Sequence, residues 1–219
     1  MRTLRITGKG NVRARPDTTR ITMTLAGMLP EYGDALKKSS EDTELLRELL
    51  KGFGFRETDL KTLRFDIDTE YESYKDRGVY KERLVGYSWR HQMKVEFDSD
   101  NIRLGKILAA LAGSRAKPEF RISYTVKDPE AVKNELLEKA VADARKKAEV
   151  LAGAASLALG SIQTVDYSWG KVDLEVSPMN QMVKMSEIEA AGNEDTFAMN
   201  IEPDDIEMSD TVTVVWEIA

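Results

Sequence analysis

Leu4 and Ile6 alternate with threonine and arginine at the start of the chain, and Ile21, Met23 and Leu25 alternate with Thr22 and Thr24 further on. Period-two alternation puts every second side chain on one buried face, so both stretches predict strands, with a tight turn or bulge at Gly8 to Gly10. From Glu31 to Phe53 the period changes: Ala35, Ser39, Leu46, Leu49, Leu50 and Phe53 share one helical face, and Gly52 and Gly54 supply the stop. Two long alternating runs follow, one through Leu63, Phe65, Ile67 and Tyr71, the other through Val85, Tyr87, Trp89, Met93, Val95 and Phe97. They predict a hairpin whose joining segment, Tyr74 to Glu82, is polar around Gly78 and reads as an exposed, mobile loop. With Gly78 near the tip, Asp66 and Asp68 come opposite Arg90 and Gln92 on the outer face.

A short helix capped by Asp98, Ser99 or Asp100 carries Leu104, Ile107, Leu108 and Leu111, and Pro118 introduces a strand through Phe120, Ile122, Tyr124 and Val126. Asp128-Pro129-Glu130 combines a cap, a proline suited to the first helical position and an acid at the positive end of the dipole. That helix is predicted to run to about Ser156. Its Ala140, Ala144 and Ala148 stripe, flanked by Leu137, Val141 and Leu151, lets it lie close against a sheet. Two more strands follow, through Val165, Tyr167 and Trp169 after Gly160, and through Met208, Val212, Val214, Trp216 and Ile218 at the end. Alternation in nearly every strand predicts mainly antiparallel sheet with helices on one face, including one long helix in the C-terminal half: an α+β fold. It reads as one α+β domain over 1–219, divisible into lobes of about 1–98 and 99–219.

Composition narrows the function classes. The 219 residues are 42% hydrophobic and 32% charged, the balance of a folded globular chain. A net charge of -6 provides no overall field toward nucleic acid or anionic lipid, and no stretch reaches transmembrane length. The absence of cysteine excludes disulfides, thiolate catalysis and Cys-based metal sites. The chain opens directly on the strand pattern without an apolar export-type stretch, so the expectation is cytoplasmic residence, although a trimmed chain with a new start methionine would look the same.

Candidate chemistry is sparse. Gly8-Lys9-Gly10-Asn11 lacks the spacing of a phosphate loop and leads into a strand where a helix N-terminus would be needed. His91, the one histidine, shares the parity of Trp89 and Met93 and reads as a hydrogen-bonded core residue. Asp66, Asp68, Glu70 and Glu72 alternate on one strand face, which could gather a divalent cation but reads more simply as a solvated row balanced by Arg64, Arg90 and Lys94. Glu202, Asp204, Asp205 and Glu207 surround Pro203 without the glycine and spacing of an EF-hand. No Gly-x-Ser-x-Gly elbow is present. No catalytic, cofactor or metal residues are therefore assigned.

The run Ile6-Thr7-Gly8-Lys9-Gly10, with Val12, Ala14, Pro16-Asp17 and the strand Ile21 to Leu25, resembles the opening of SIMPL-domain proteins, a bacterial family of largely unknown function. Ala140 to Ala148, followed by Leu151-Ala152 and Leu159-Gly160, resembles the family's second conserved stretch. The resemblance implies an α+β fold and the tendency of some members to self-associate, and it carries no active site. Ser156 stands where relatives often have glycine. The functional expectation is a non-enzymatic structural or interaction protein that forms a homo-oligomer or binds a protein partner. The alternative is a small-molecule binder with the Met-rich 170–205 segment as a lid.

Overall fold

In the computed structural model, residues 2–167, 174–177 and 202–219 are described. Most of the 170–205 segment, and Trp169 with it, lies outside these residues. The elements are β1 (Arg2–Ala14), β2 (Thr18–Leu29), α1 (Tyr32–Lys51), β3 (Lys61–Asp76), β4 (Val79–Asp98), α2 (Asn101–Ala112), β5 (Glu119–Thr125), α3 (Pro129–Ala154), β6 (Leu159–Asp166) and β7 (Ile206–Ile218). Among the described residues, two antiparallel sheets and three helices give the α+β fold. The chain divides into two compact units: a discontinuous unit of Met1–Asp17, Tyr124–Val176 and Pro203–Ala219, and one of Thr18–Ser123 with Ser177–Glu202, called the continuous unit because its core comes from the unbroken stretch Thr18–Ser123.

The discontinuous unit holds the sheet β1-β7-β6, with β7 bonded to both neighbours. Asp128 caps α3 by accepting from the Ala131 N–H, and Pro129 follows at the first helical position. Leu136, Ala140, Ala144, Ala148 and Ala152 form the buried stripe, the first four packed with Ile6, Val12, Met208, Val212, Val214 and Trp216. The flanking Val141 and Leu151 stay exposed, because a helix seated this closely touches the sheet along a narrow line.

Gly8 and Gly10 explain the closeness. They do not turn the chain or bulge it: β1 pairs with β7 residue by residue from Arg2 to Ala14. A Cβ on Gly8 would fall 2.0 Å from the Ala140 carbonyl oxygen, and one on Gly10 would fall 2.1 Å from that of Leu136. The α3 backbone occupies that space. Across the same contact Asp143 accepts from the Lys9 N–H at 2.7 Å and pairs with Lys147 at 2.7 Å. Lys147 in turn donates to the Thr7 carbonyl at 3.4 Å, so side chains of α3 satisfy backbone groups at the middle of β1.

The continuous unit holds the sheet β3-β4-β2-β5, with α1 and α2 on one face. Asp100 caps α2, accepting from Ile102 and Arg103. Ile21, Met23 and Leu25 of β2 and Trp89, Met93 and Val95 of β4 meet Ala35, Leu46 and Leu50 of α1 and Leu104, Ile107 and Leu111 of α2. The β5 strand is buried at Ser123, Tyr124 and Thr125 while Phe120 near its start is exposed.

Candidate functional site

The feature of the continuous unit that its core does not explain is the outer part of the β3–β4 hairpin. Pairing of β4 with β2 ends at Leu29↔Tyr87, whereas pairing with β3 continues to Asp76↔Val79. The segment expected as a mobile loop, Tyr74 to Glu82, is therefore strand on both sides of an Arg77-Gly78 turn, where φ is 48° and 87°. Two consecutive positive φ values are those of the tight hairpin turn that glycine favours at its second position. Every residue from Tyr71 to Leu84 is exposed except Asp76, which is half-buried.

Side chains knit this two-stranded arm. Glu72 accepts from Arg83 at 2.7 Å and Asp76 from Lys81 at 2.6 Å. The hydrogen bond to Glu72, and then its charge, raise the Arg83 pKa. Arg83 lies over the Tyr74 ring at 5.7 Å and Lys75 over Tyr80 at 5.8 Å. Register separates the faces. Tyr71↔Leu84, Ser73↔Glu82 and Lys75↔Tyr80 continue the parity of Ile67↔Trp89, the core-facing side, while Glu72↔Arg83 and Tyr74↔Lys81 lie opposite. Tyr71, Tyr80 and Leu84 are 58%, 75% and 45% exposed, and Tyr32 of α1 stacks edge-on against Tyr87 at 5.5 Å where this strip leaves the core.

The acidic row is dispersed among local partners. Asp66 lies opposite Arg90 and pairs with Arg64, Asp68 lies opposite Ser88, and Glu70 accepts from the Ser88 hydroxyl at 2.6 Å. Gln92 faces Arg64 and not Asp68, because antiparallel pairing that sets Asp66 opposite Arg90 carries Arg64 to Gln92. Glu207 pairs with Arg13 beside a shallow depression of ≈ 510 Å³ lined by Lys9, Asn11, Arg13 and Ser209, a polar surface. His91 is buried, with Nδ1 3.0 Å from the Thr43 hydroxyl and Nε2 2.9 Å from that of Thr62. Thr43 gives its own proton to the Ser39 carbonyl at 2.7 Å, so it accepts from Nδ1–H, and Nε2 of the neutral ring accepts from Thr62. Desolvation, and then the charge of Arg47, lower the imidazole pKa. A ring engaged at both nitrogens serves the packing of β4 on α1.

The SIMPL family model, described as a protein of unknown function (DUF541), matches residues 4–216. The chain belongs to the SIMPL family. A 26 kDa periplasmic immunogenic protein of Brucella abortus (strain S19) is 28% identical over 158 residues, covering 72% of this chain. Its counterpart in Brucella melitensis biotype 1 is 27% identical over the same length. The SIMPL chain spans 63% of the length of each of these relatives. CutA from Synechococcus elongatus PCC7942 aligns with a TM-score of 0.21 and 12% identity, covering 59% of this chain and 96% of that one, a likeness too low to carry an argument. The relatives' names overturn the expectation of cytoplasmic residence, since both are periplasmic proteins. The opening residues could not decide the matter: an amphipathic first strand is demanded by the sheet in either compartment.

Proposed function

We propose that this SIMPL protein is a non-enzymatic periplasmic assembly protein that associates with copies of itself or with a protein partner. The observation that carries the reading is the hairpin arm, ordered by its turn and ion pairs yet with both faces exposed from Tyr71 to Leu84. A two-stranded hairpin standing alone in water is marginally stable at best, and exposed aromatic side chains on such a ribbon suit a surface that a partner covers. The non-enzymatic part of the reading is supported by the use of His91 in packing and of the acidic row in local pairs. Among the described residues no helix is long and apolar enough to cross a membrane.

Light scattering over a wide concentration range tests association, with mass rising above that of the 24.6 kDa chain as the expected result. A strict monomer that also captures no partner in periplasmic extract overturns it. Release of the native protein by osmotic shock is the expected outcome for placement, and retention with cytosolic markers overturns that part.

A further inference from the structure

We propose that the arm is a homotypic clasp, in which the Tyr71, Tyr80 and Leu84 face of one copy packs against the same face of a second. This rests on the self-association reading above and names its surface. Charge selects the occupant. Residues 69–86 contain four acids (Glu70, Glu72, Asp76, Glu82) and four bases (Lys75, Arg77, Lys81, Arg83), so the arm is neutral in a chain whose net charge is -6. Two arms approach without the repulsion that two chains of this charge meet elsewhere.

The face is also complementary to itself, as a two-fold contact requires. Its charged residues are Lys75 and Glu82, on adjacent rungs and of opposite sign. A two-fold contact centred on the Ser73↔Glu82 rung sets Lys75 of one copy within side-chain reach of Glu82 of the other, with the aromatic and leucine side chains packed beside them. Edge-to-edge pairing of β3 with itself is disfavoured by the same criterion. Antiparallel pairing centred on Asp68 brings Asp66 opposite Glu70 and Asp68 opposite its own copy, and like charges directly opposite destabilise a sheet. The six rungs from Tyr71↔Leu84 to Asp76↔Val79, at about 3.3 Å each and with a face about 10 Å wide, give roughly 200 Å² per copy, against about 800 Å² for a standard interface. An arm-only contact is therefore weak and dissociates on dilution.

The chain has no cysteine, so a single introduced thiol reports one position. Ser73→Cys lies in the middle of the face with little change of size, and Lys81→Cys lies on the opposite face of the arm. With a short bismaleimide linker at concentrations where light scattering shows assembly, S73C is expected to form covalent dimer and K81C to form far less. Leu84→Glu is expected to raise the dissociation constant about tenfold or more, since a half-exposed apolar contact is lost and an acid is placed beside Glu82. Leu84 is 45% exposed, so the fold does not depend on it. If the wild-type chain assembles while L84E assembles as tightly and S73C stays uncross-linked, the clasp is wrong and self-association stands. If the wild-type chain is monomeric throughout, both fall.

Discussion

His91 shows how a single buried side chain couples the fold to pH. Its ring is neutral in the fold, held by Thr43 and Thr62, and burial lowers its pKa from the ordinary 6.5. As pH falls below about 6.5 the unfolded chain takes up the proton first, so the stability this residue provides is fully present above that value. It is lost as pH falls through the folded-state pKa. We expect the carbon-bound proton resonances of the one imidazole to titrate below 6.5, and His91→Gln to flatten the dependence of unfolding free energy on pH as pH falls below about 6.5. Titration at or above 6.5 would contradict the burial argument. The position of His91 was legible from its parity with Trp89 and Met93; its two threonine partners were not, because Thr43 and Thr62 are brought to it by α1 and β3. Gly8 and Gly10 were misread for a related reason. Glycine is used where φ must be positive and where another backbone comes close, and the letter alone does not tell which. Here the reason is α3, whose small residues at Ala140 and Ala144 are the other half of the same contact.

Elements with one buried face announced themselves, and the outer arm of β3 and β4, which has none, did not. Alternation located β2, β4 and β7 because their inner residues are apolar and their outer ones polar. In the outer arm neither face is covered, polar residues occupy both, and the pattern reads as loop although the backbone remains strand. The end of α3 is a second case in which local chemistry departs from the expected letter. The Ser156 N–H donates to the Gly153 carbonyl at 3.1 Å and the Leu157 N–H to that of Ala152 at 2.9 Å, closing the helix with Ser156 at φ 54°. This left-handed position is where glycine carries no Cβ penalty and serine does. Ser156→Gly is expected to stabilise the protein by about 0.5–1 kcal/mol, the relief of that strain less the extra entropy of glycine in the unfolded chain. Urea unfolding monitored by circular dichroism measures it, and a loss of stability would mean that the serine side chain contributes something the cap geometry does not show.

At the scale of the whole molecule, the two units differ in how they use the chain. The continuous one draws its core from Ile21 to Leu111, with no residue of β1, α3, β6 or β7 in the cluster. The other is closed by β7, to which both β1 and β6 are bonded and which supplies Met208, Val212, Val214 and Trp216 to the face beneath α3. Burying four such side chains is worth roughly 6–12 kcal/mol, comparable with the roughly 5–15 kcal/mol by which a whole domain is stable. Deletion of 206–219 should therefore abolish the fold of the discontinuous unit outright. The continuous unit, whose cluster loses nothing, should keep its own. The reporters are separate: Trp89 and His91 lie in the retained core, while Ile6, Ala140 and Ala144 lie in the unit that β7 closes. In the truncated chain the Trp89 indole and His91 ring resonances are expected at their native positions, with amides of β1 and α3 exchanging at unprotected rates. Loss of the native Trp89 and His91 signals together with those of β1 and α3 would show that the two cores fold as one cooperative system, and the independence argued from their separate side-chain clusters would be wrong.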